Sequence, residues 1–343
     1  MSVTIKDVAK RANVAPSTVS RVISDSDKIS EKTKQKVRKV MEEMNYHLNH
    51  NARVLVQKST QTIGIVMKHS ANRSLHNPFF PEVLRGMSSY CHKQNYSLLL
   101  TTGNSEEAIY QEVVNMVQGK RVDGVIVLYS KKEDKVVPFL QDCNIPFVVI
   151  GKPQGERSRI MFVDNDNTSA AKEAAMYLIQ RGHKRISFIG DEPEYQVVQD
   201  RLAGYYEAMK EHNLVIREEY VQNLSQNVEE TRNVIEKMMN IPEPPTAIIS
   251  SADVNAILIM SALRELDYNV PKDISIISFN NTIISQLSNP SMTSVDIQTF
   301  QLGFEAAKCV IESIQDTNMF TKSVIIPTVI EERDSTGYNK KED

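Results

Sequence analysis

The chain has 343 residues, enough for two or three domains, and its longest apolar runs are strand-sized, far short of the roughly 18 residues of a membrane span. Met1 to Lys6 carry no secretory leader, and Cys91, Cys143 and Cys309 are odd in number and lack ligand spacing; the expectation is a cytoplasmic protein without a membrane partner, a disulfide framework or a metal. The net charge of −3 hides an asymmetry, because residues 1–60 carry 12 Lys+Arg against 6 Asp+Glu and sum to +6, while the remainder sums to −9.

In chain order, the first predicted element is a helix over residues 4–12, with Thr4 as N-cap, Asp7 in the first turn and Ile5, Val8, Ala9 and Ala12 at helical spacing. Asn13 tolerates the left-handed backbone that ends a helix in a sharp turn, and Val14 plugs the angle that follows. Pro16 suits the first turn of a second helix over 16–23. That helix buries Val19, Val22 and Ile23, leaving Ser17, Thr18, Ser20 and Arg21 outward. Two short helices joined by a tight turn form a helix-turn-helix, whose second helix enters the major groove; there arginine pairs with guanine and hydroxyls reach bases or phosphates. A third helix starts at Ser30 and aligns Val37, Val40, Met41 and Met44, with Lys32, Lys34, Lys36, Arg38 and Lys39 on a basic outer face. That face is either solvated or close to phosphates.

From residue 62 the pattern alternates strand and helix. Strands are predicted over 62–67, 97–102, 122–128 and 147–150, and helices over 81–94, 106–118 and 135–143. A second series begins near Ile160, with helices over 167–181, 200–212, 228–239 and 253–266 and strands over 185–190, 247–250 and 274–279. The fold class is therefore an all-α helix-turn-helix head on an α/β body of two parallel-sheet subdomains, with ligand expected at the strands' carboxyl ends in the cleft between them. No phosphate loop, dinucleotide fingerprint, paired metal-binding histidines or serine elbow is present, so neither an enzyme nor a cofactor is expected.

Three ordered strings, Thr4-Ile5-Lys6-Asp7-Val8-Ala9, Thr18-Val19-Ser20-Arg21-Val22-Ile23 and Asn51-Ala52-Arg53-Val54-Leu55, resemble the signature of the lactose/galactose-repressor family. The likeness continues through Asn77-Pro78-Phe79-Phe80, Arg121-Val122-Asp123-Gly124, Arg181-Gly182-His183, Arg201-Leu202-Ala203-Gly204-Tyr205 and Val270-Pro271-Lys272-Asp273-Ile274-Ser275. It implies a periplasmic-binding-protein-like body and DNA contacts by Thr4, Pro16, Ser17, Thr18, Ser20 and Arg21. It also implies a hinge helix over 49–56 in which Asn49, Ala52 and Arg53 meet DNA and Leu55 wedges into the minor groove, bending the duplex. In the cleft, Phe79 and Phe80 would stack on an effector, Arg201 would hydrogen-bond its hydroxyls, and the loop at Asn280 would close the far side; Tyr195, Val197, Asp164 and Asp166 are further candidates. The sequence departs from the family pattern at Asn13, Ala15 and Leu48, where glycine, serine and proline are usual, and at Asn280, where aspartate is usual.

The strings Val163-Asp164-Asn165-Asp166-Asn167, Ile150-Gly151-Lys152-Pro153 and Ser278-Phe279-Asn280-Asn281 are similar to the maltose-operon repressors of that family, which implies a maltose or maltodextrin effector. The organisation implied is a head over 1–45, a hinge and linker over 46–60, a first subdomain over 61–160 with about 290–322, a second over 161–289 with about 323–337, and a tail over 338–343. Useful specificity needs two reading heads, so a homodimer on a near-palindromic double-stranded operator is expected, and with no terminal heptad helix a dimer rather than a tetramer. Two alternatives stand beside it: a catabolite-control regulator with a phosphoprotein corepressor, and a sugar-binding protein with no DNA role.

Overall fold

A computed structural model describes residues 3–46, 59–67, 69, 74–154, 159–225 and 227–339. The head packs α1 (Ile5–Ala12), α2 (Pro16–Ile23) and α3 (Glu31–Glu43) around Val8, Ala9, Ala12, Val19, Val22, Val37 and Val40. The Asp7 carboxylate accepts from the backbone N–H of Thr4 at 2.9 Å and from its hydroxyl at 2.7 Å, closing the first turn of α1. Asn13 takes the left-handed conformation at φ 52° and ends that helix. Ala15 is extended and offers α2 no side-chain cap; Pro16 at the first helical position removes one of the backbone donors that a cap would serve.

One expectation for the head is corrected. Lys34 does not join the basic outer face: it is 4% exposed, 3.1 Å from both Asp25 and Glu31, and donates to the Asp25 carbonyl at 3.3 Å. Its three-residue offset from Val37 places it on the inner stripe, and the α2–α3 loop supplies the carboxylate that pairs it. Asp25 and Glu31 hold its ammonium above the ordinary lysine range.

The body contains two six-stranded sheets. The first runs β11 (Ser323–Ile326), β5 (Met161–Asn165), β4 (Phe147–Ile150), β3 (Gly124–Val127), β1 (Thr62–Val66), β2 (Ser97–Leu100), all parallel. The second runs β12 (Val329–Glu331), β10 (Thr293–Asp296), β9 (Ser275–Phe279), β8 (Ala247–Ser250), β6 (Ile186–Gly190), β7 (Val221–Asn223), with only β12 antiparallel. Helices cover both faces, so the central strands are buried on both sides and read as continuous apolar runs. In the first subdomain α4 (Phe79–Lys93) and α12 (Thr299–Gln315) pack together, with α5 (Glu106–Gln118) and α6 (Val136–Asp142) completing it. In the second, α7 (Asn167–Ile179) packs on α8 (Gln196–Glu211), and α9 (Val228–Met239) on α10 (Asp253–Glu265), with the short α11 (Ile283–Leu287) beside α10.

The subdomain boundaries differ from the expectation by a few residues at each crossover. Met161–Asn165 and Ser323–Ile326 pair with each other in the first sheet, although both were expected in the second subdomain, whereas Thr293–Asp296 belongs to the second sheet, not the first. A parallel strand releases the chain at its carboxyl end, so each crossover comes after its strand, at the cleft, and not before it. Asn165 ties these passages together, its side-chain amide donating to Ile297 O at 3.0 Å and to Ile326 O at 2.9 Å.

Candidate functional site

In the head, Pro16, Ser17 and Arg21 are exposed on α2 and Thr18 and Ser20 are partly exposed beside them. None of the four side chains Ser17, Thr18, Ser20 and Arg21 donates or accepts a hydrogen bond among the described residues, so one helix face carries three hydroxyls and a guanidinium with their hydrogen-bonding capacity unspent. Thr4, also exposed, spends its hydroxyl on Asp7, leaving its oxygen lone pairs. Asn49, Ala52, Arg53 and Leu55 lie outside the described residues.

The body's cavity sits between the subdomains, and its wall is made by residues at or just after strand ends: His69, Tyr129, Ile150, Asp164, Asn165, Asp191, Ser251 and Asn280. Of the eight residues expected there, Phe79, Phe80, Asp164, Tyr195, Val197, Arg201 and Asn280 line it together. Asp166 does not. It is exposed, and its carboxylate caps α7, accepting from Ser169 N at 3.0 Å and Ser169 Oγ at 2.8 Å, which holds its pKa below the usual carboxylate range. It lies two positions after Asp164, and the turn from strand to helix sends the two carboxylates apart.

The helix carrying the two phenylalanines begins at Phe79, two residues before the expected start, so both rings sit in its first turn, edge to face with centroids 5.2 Å apart. Phe80 is buried and Phe79 half-buried. Helix α8 likewise starts four residues early, at Gln196. Tyr195 is then its N-cap, with the ring in edge contact with His69 and Tyr129, each at 6.2 Å.

Arg201, on the inner face of α8, is 5% exposed. Its Nε donates to Asn167 Oδ1 at 2.9 Å and its Nη1 to Ser251 O at 2.5 Å, and the guanidinium lies over the Phe279 ring at 4.2 Å. Burial depresses its pKa to about 10, partly countered by Asp164 and Asp253. Burial pushes Asp164 up to about 6, with hydrogen bonds from the Asn165 backbone and the charge of Arg201 opposing. At neutral pH both groups keep their charges and face one cavity. Asn280 reaches the wall from a left-handed residue at φ 100°. Its loop is anchored by the fully buried Asp253, which accepts from Ser278 Oγ at 2.5 Å, Ser294 Oγ at 2.9 Å and Thr282 N at 2.6 Å.

Sequence reasoning did not single out His69, Tyr129, Asp191 or Ser251. The signal was present, because each lies within two residues of the end of a predicted strand, where open α/β sheets bind ligands. His183 is structural: its buried ring lies 3.0 Å from Thr246 Oγ1 and 3.1 Å from Gly337 O.

Comparison with known proteins agrees with both parts. Residues 4–49 match bacterial regulatory proteins of the lacI family, and residues 175–336 match the periplasmic binding protein-like domain. The HTH-type transcriptional regulator MalR of Staphylococcus xylosus is 38% identical over 334 residues, 97% of this chain and 98% of that protein. A structure from Bacillus cereus subsp. cytotoxis described as a putative transcriptional regulator LacI superposes with a TM-score of 0.79 at 41% identity, covering 81% of this chain and 99% of its own. A structure from Staphylococcus areus described as a probable maltose operon transcriptional repressor gives 0.76 at 30% identity, over 81% and 98%. With a helix-turn-helix head, a two-sheet body and near full-length relatives in common, the chain belongs to the lacI family of bacterial regulatory proteins and is a DNA-binding transcriptional regulator.

Proposed function

We propose that the chain is a cytoplasmic repressor of sugar-utilisation genes, binding a near-palindromic operator as a homodimer and responding to maltose or a maltodextrin in the cleft. The observation that carries this reading is the cavity wall, which combines aromatic rings with a polar corner of Asp164, Asn167 and Arg201. Sugar rings stack their apolar faces on aromatics and offer hydroxyls to such polar forks. Maltose in particular is supported by the strings around Asp164, Gly151 and Asn280 and by the likeness to a structure described as a probable maltose operon transcriptional repressor. Self-association is supported by apolar side chains left exposed on α11, Ile283 and Leu287.

In mechanism, α2 of each protomer reads one half-site with Arg21 and its neighbouring hydroxyls, and the paired hinges meet at the centre, where Leu55 enters the minor groove. A sugar held by both subdomains favours one relative arrangement, and the operator affinity changes only as far as the two arrangements differ in sugar affinity. The test is fluorescence anisotropy of operator fragments at fixed salt with maltose, maltotriose and unrelated sugars. A maltose-specific change in affinity is expected. Specific DNA binding that no sugar alters would replace the sugar with a phosphoprotein corepressor. In the same assay Leu55→Ala is expected to weaken operator binding far more than non-specific binding.

A further inference from the structure

Resting on the reading of the cleft as a sugar site, we propose that Ser251 is a specificity-determining contact of that site, its hydroxyl reading one hydroxyl of the bound sugar beside Arg201. Ser251 lines the cavity and is 4% exposed. Its backbone is fully engaged: the N–H donates to Ile189 O at 2.9 Å and the carbonyl accepts from Arg201 Nη1 at 2.5 Å. The preceding Ser250 hydroxyl donates to Ala252 O at 3.0 Å, bracing the turn. The Ser251 hydroxyl alone on this turn is buried without a hydrogen-bond partner among the described residues.

A buried hydroxyl with no partner is a net cost to the empty protein. Nothing in the packing of this turn uses Oγ, since the strand ladder and Arg201 hold the residue by its backbone. Rotation about χ1 between staggered wells turns Oγ within the cavity that its own residue lines. A serine hydroxyl both donates and accepts, which suits a sugar hydroxyl. Arg201 Nη1 is bonded to the carbonyl of the same residue, so the guanidinium is held beside the hydroxyl, and a site built to pair a hydroxyl discriminates against the ligand that lacks it.

The test uses the full chain, with wild type, Ser251→Ala and Ser251→Thr compared by thermal unfolding without sugar and by calorimetric titration with maltose and a set of monodeoxy-maltoses. Ser251→Ala is expected to unfold at or above the wild-type temperature while binding maltose about fivefold to tenfold more weakly, the range of one neutral hydrogen bond. Ser251→Thr, which keeps the hydroxyl, is expected to retain more affinity than the alanine variant. One monodeoxy-maltose should bind the wild type more weakly than maltose does, yet bind Ser251→Ala as maltose does. Unchanged maltose affinity in Ser251→Ala, or a loss of affinity matched by a loss of stability, overturns the contact. A wild type that binds none of these sugars instead overturns the sugar reading on which the contact rests.

Discussion

Asp164 and Arg201 face one cavity with opposite charges, and burial moves each toward neutrality, to about 6 and about 10. For the acid the sign follows from linkage. Its pKa in the fold stands above the ordinary 3.8, so its contribution to stability is full below about pH 3.8 and is lost as pH rises through 6. Sugar hydroxyls that donate to the carboxylate favour the ionised form, so sugar binding releases a proton at low pH. Maltose affinity is expected to rise between pH 5 and 7, by at most about tenfold per unit, and to level off above; titration calorimetry across that range checks it. Asp164→Asn should remove the slope, and an undiminished slope in that variant would assign it to another group. In the head, Arg21→Ala should lower specific operator affinity by about 1–3 kcal/mol and relax discrimination at one base position, measured by anisotropy on single-base operator variants.

Helix α2 starts without a side-chain cap. Ala15 holds the extended backbone of an N-cap at φ −70° and ψ 149° but has no oxygen to accept from the first turn. Ala15→Ser is expected to stabilise the head by about 1 kcal/mol, read from chemical denaturation. Helices α7 and α8 show the opposite condition, with no slack. A Cβ added at Gly204 would stand 2.0 Å from the Thr168 carbonyl oxygen and 2.9 Å from Lys172 N, both backbone atoms of α7. Gly204→Ala must push the two helices apart. A loss of about 1–3 kcal/mol is expected from overpacking, and because Arg201 and Tyr195 belong to α8 and its cap, sugar affinity should fall with it. Equal stability in the alanine variant would show that the interface tolerates a wider spacing.

For the body as a whole, the two subdomains are joined at one rim of the cleft by main chain as well as by side chains. Gln196 N donates to Ser130 O at 2.9 Å, Lys132 N donates to Glu194 O at 3.3 Å, and Lys131 and Tyr195 form an antiparallel bridge. Gln154 reaches Gln196 at 2.8 Å, and His69 Nε2 lies 3.1 Å from Glu192 Oε2. Tyr195, although it belongs to the second subdomain, is 3% exposed and packs in a cluster that is mostly first-subdomain residues. It acts as a knob that sets the relative placement of the two halves. Tyr195→Ala should destabilise the body by about 3 kcal/mol and speed hydrogen exchange of the Lys132 and Gln196 amides, since both are held by the contacts that the ring supports. Exchange at wild-type rates would place the closure elsewhere.

Much of this was legible in the residues alone because it depends on local rules. Periodicity, caps and the proline at position 16 are read along the chain, and α2, α5, α9, β4 and β8 coincide with their predicted ranges. The parallel, two-sheet body followed from the alternation of apolar runs and amphipathic stretches. What the tertiary structure alone decided depends on which distant residues meet. Lys34 carries a surface lysine's composition, yet a carboxylate nine positions earlier folds over it. Asp164 and Asp166 are two residues apart, and only the turn from strand to helix sends one to the cavity and the other to a cap. The subdomain boundaries rested on which strand β5 and β11 pair with, a long-range choice that no local signal encodes. Ser251 is a common residue after a common strand; its distinction is a buried hydroxyl left unpaired among the described residues, a property of its surroundings and not of its place in the chain.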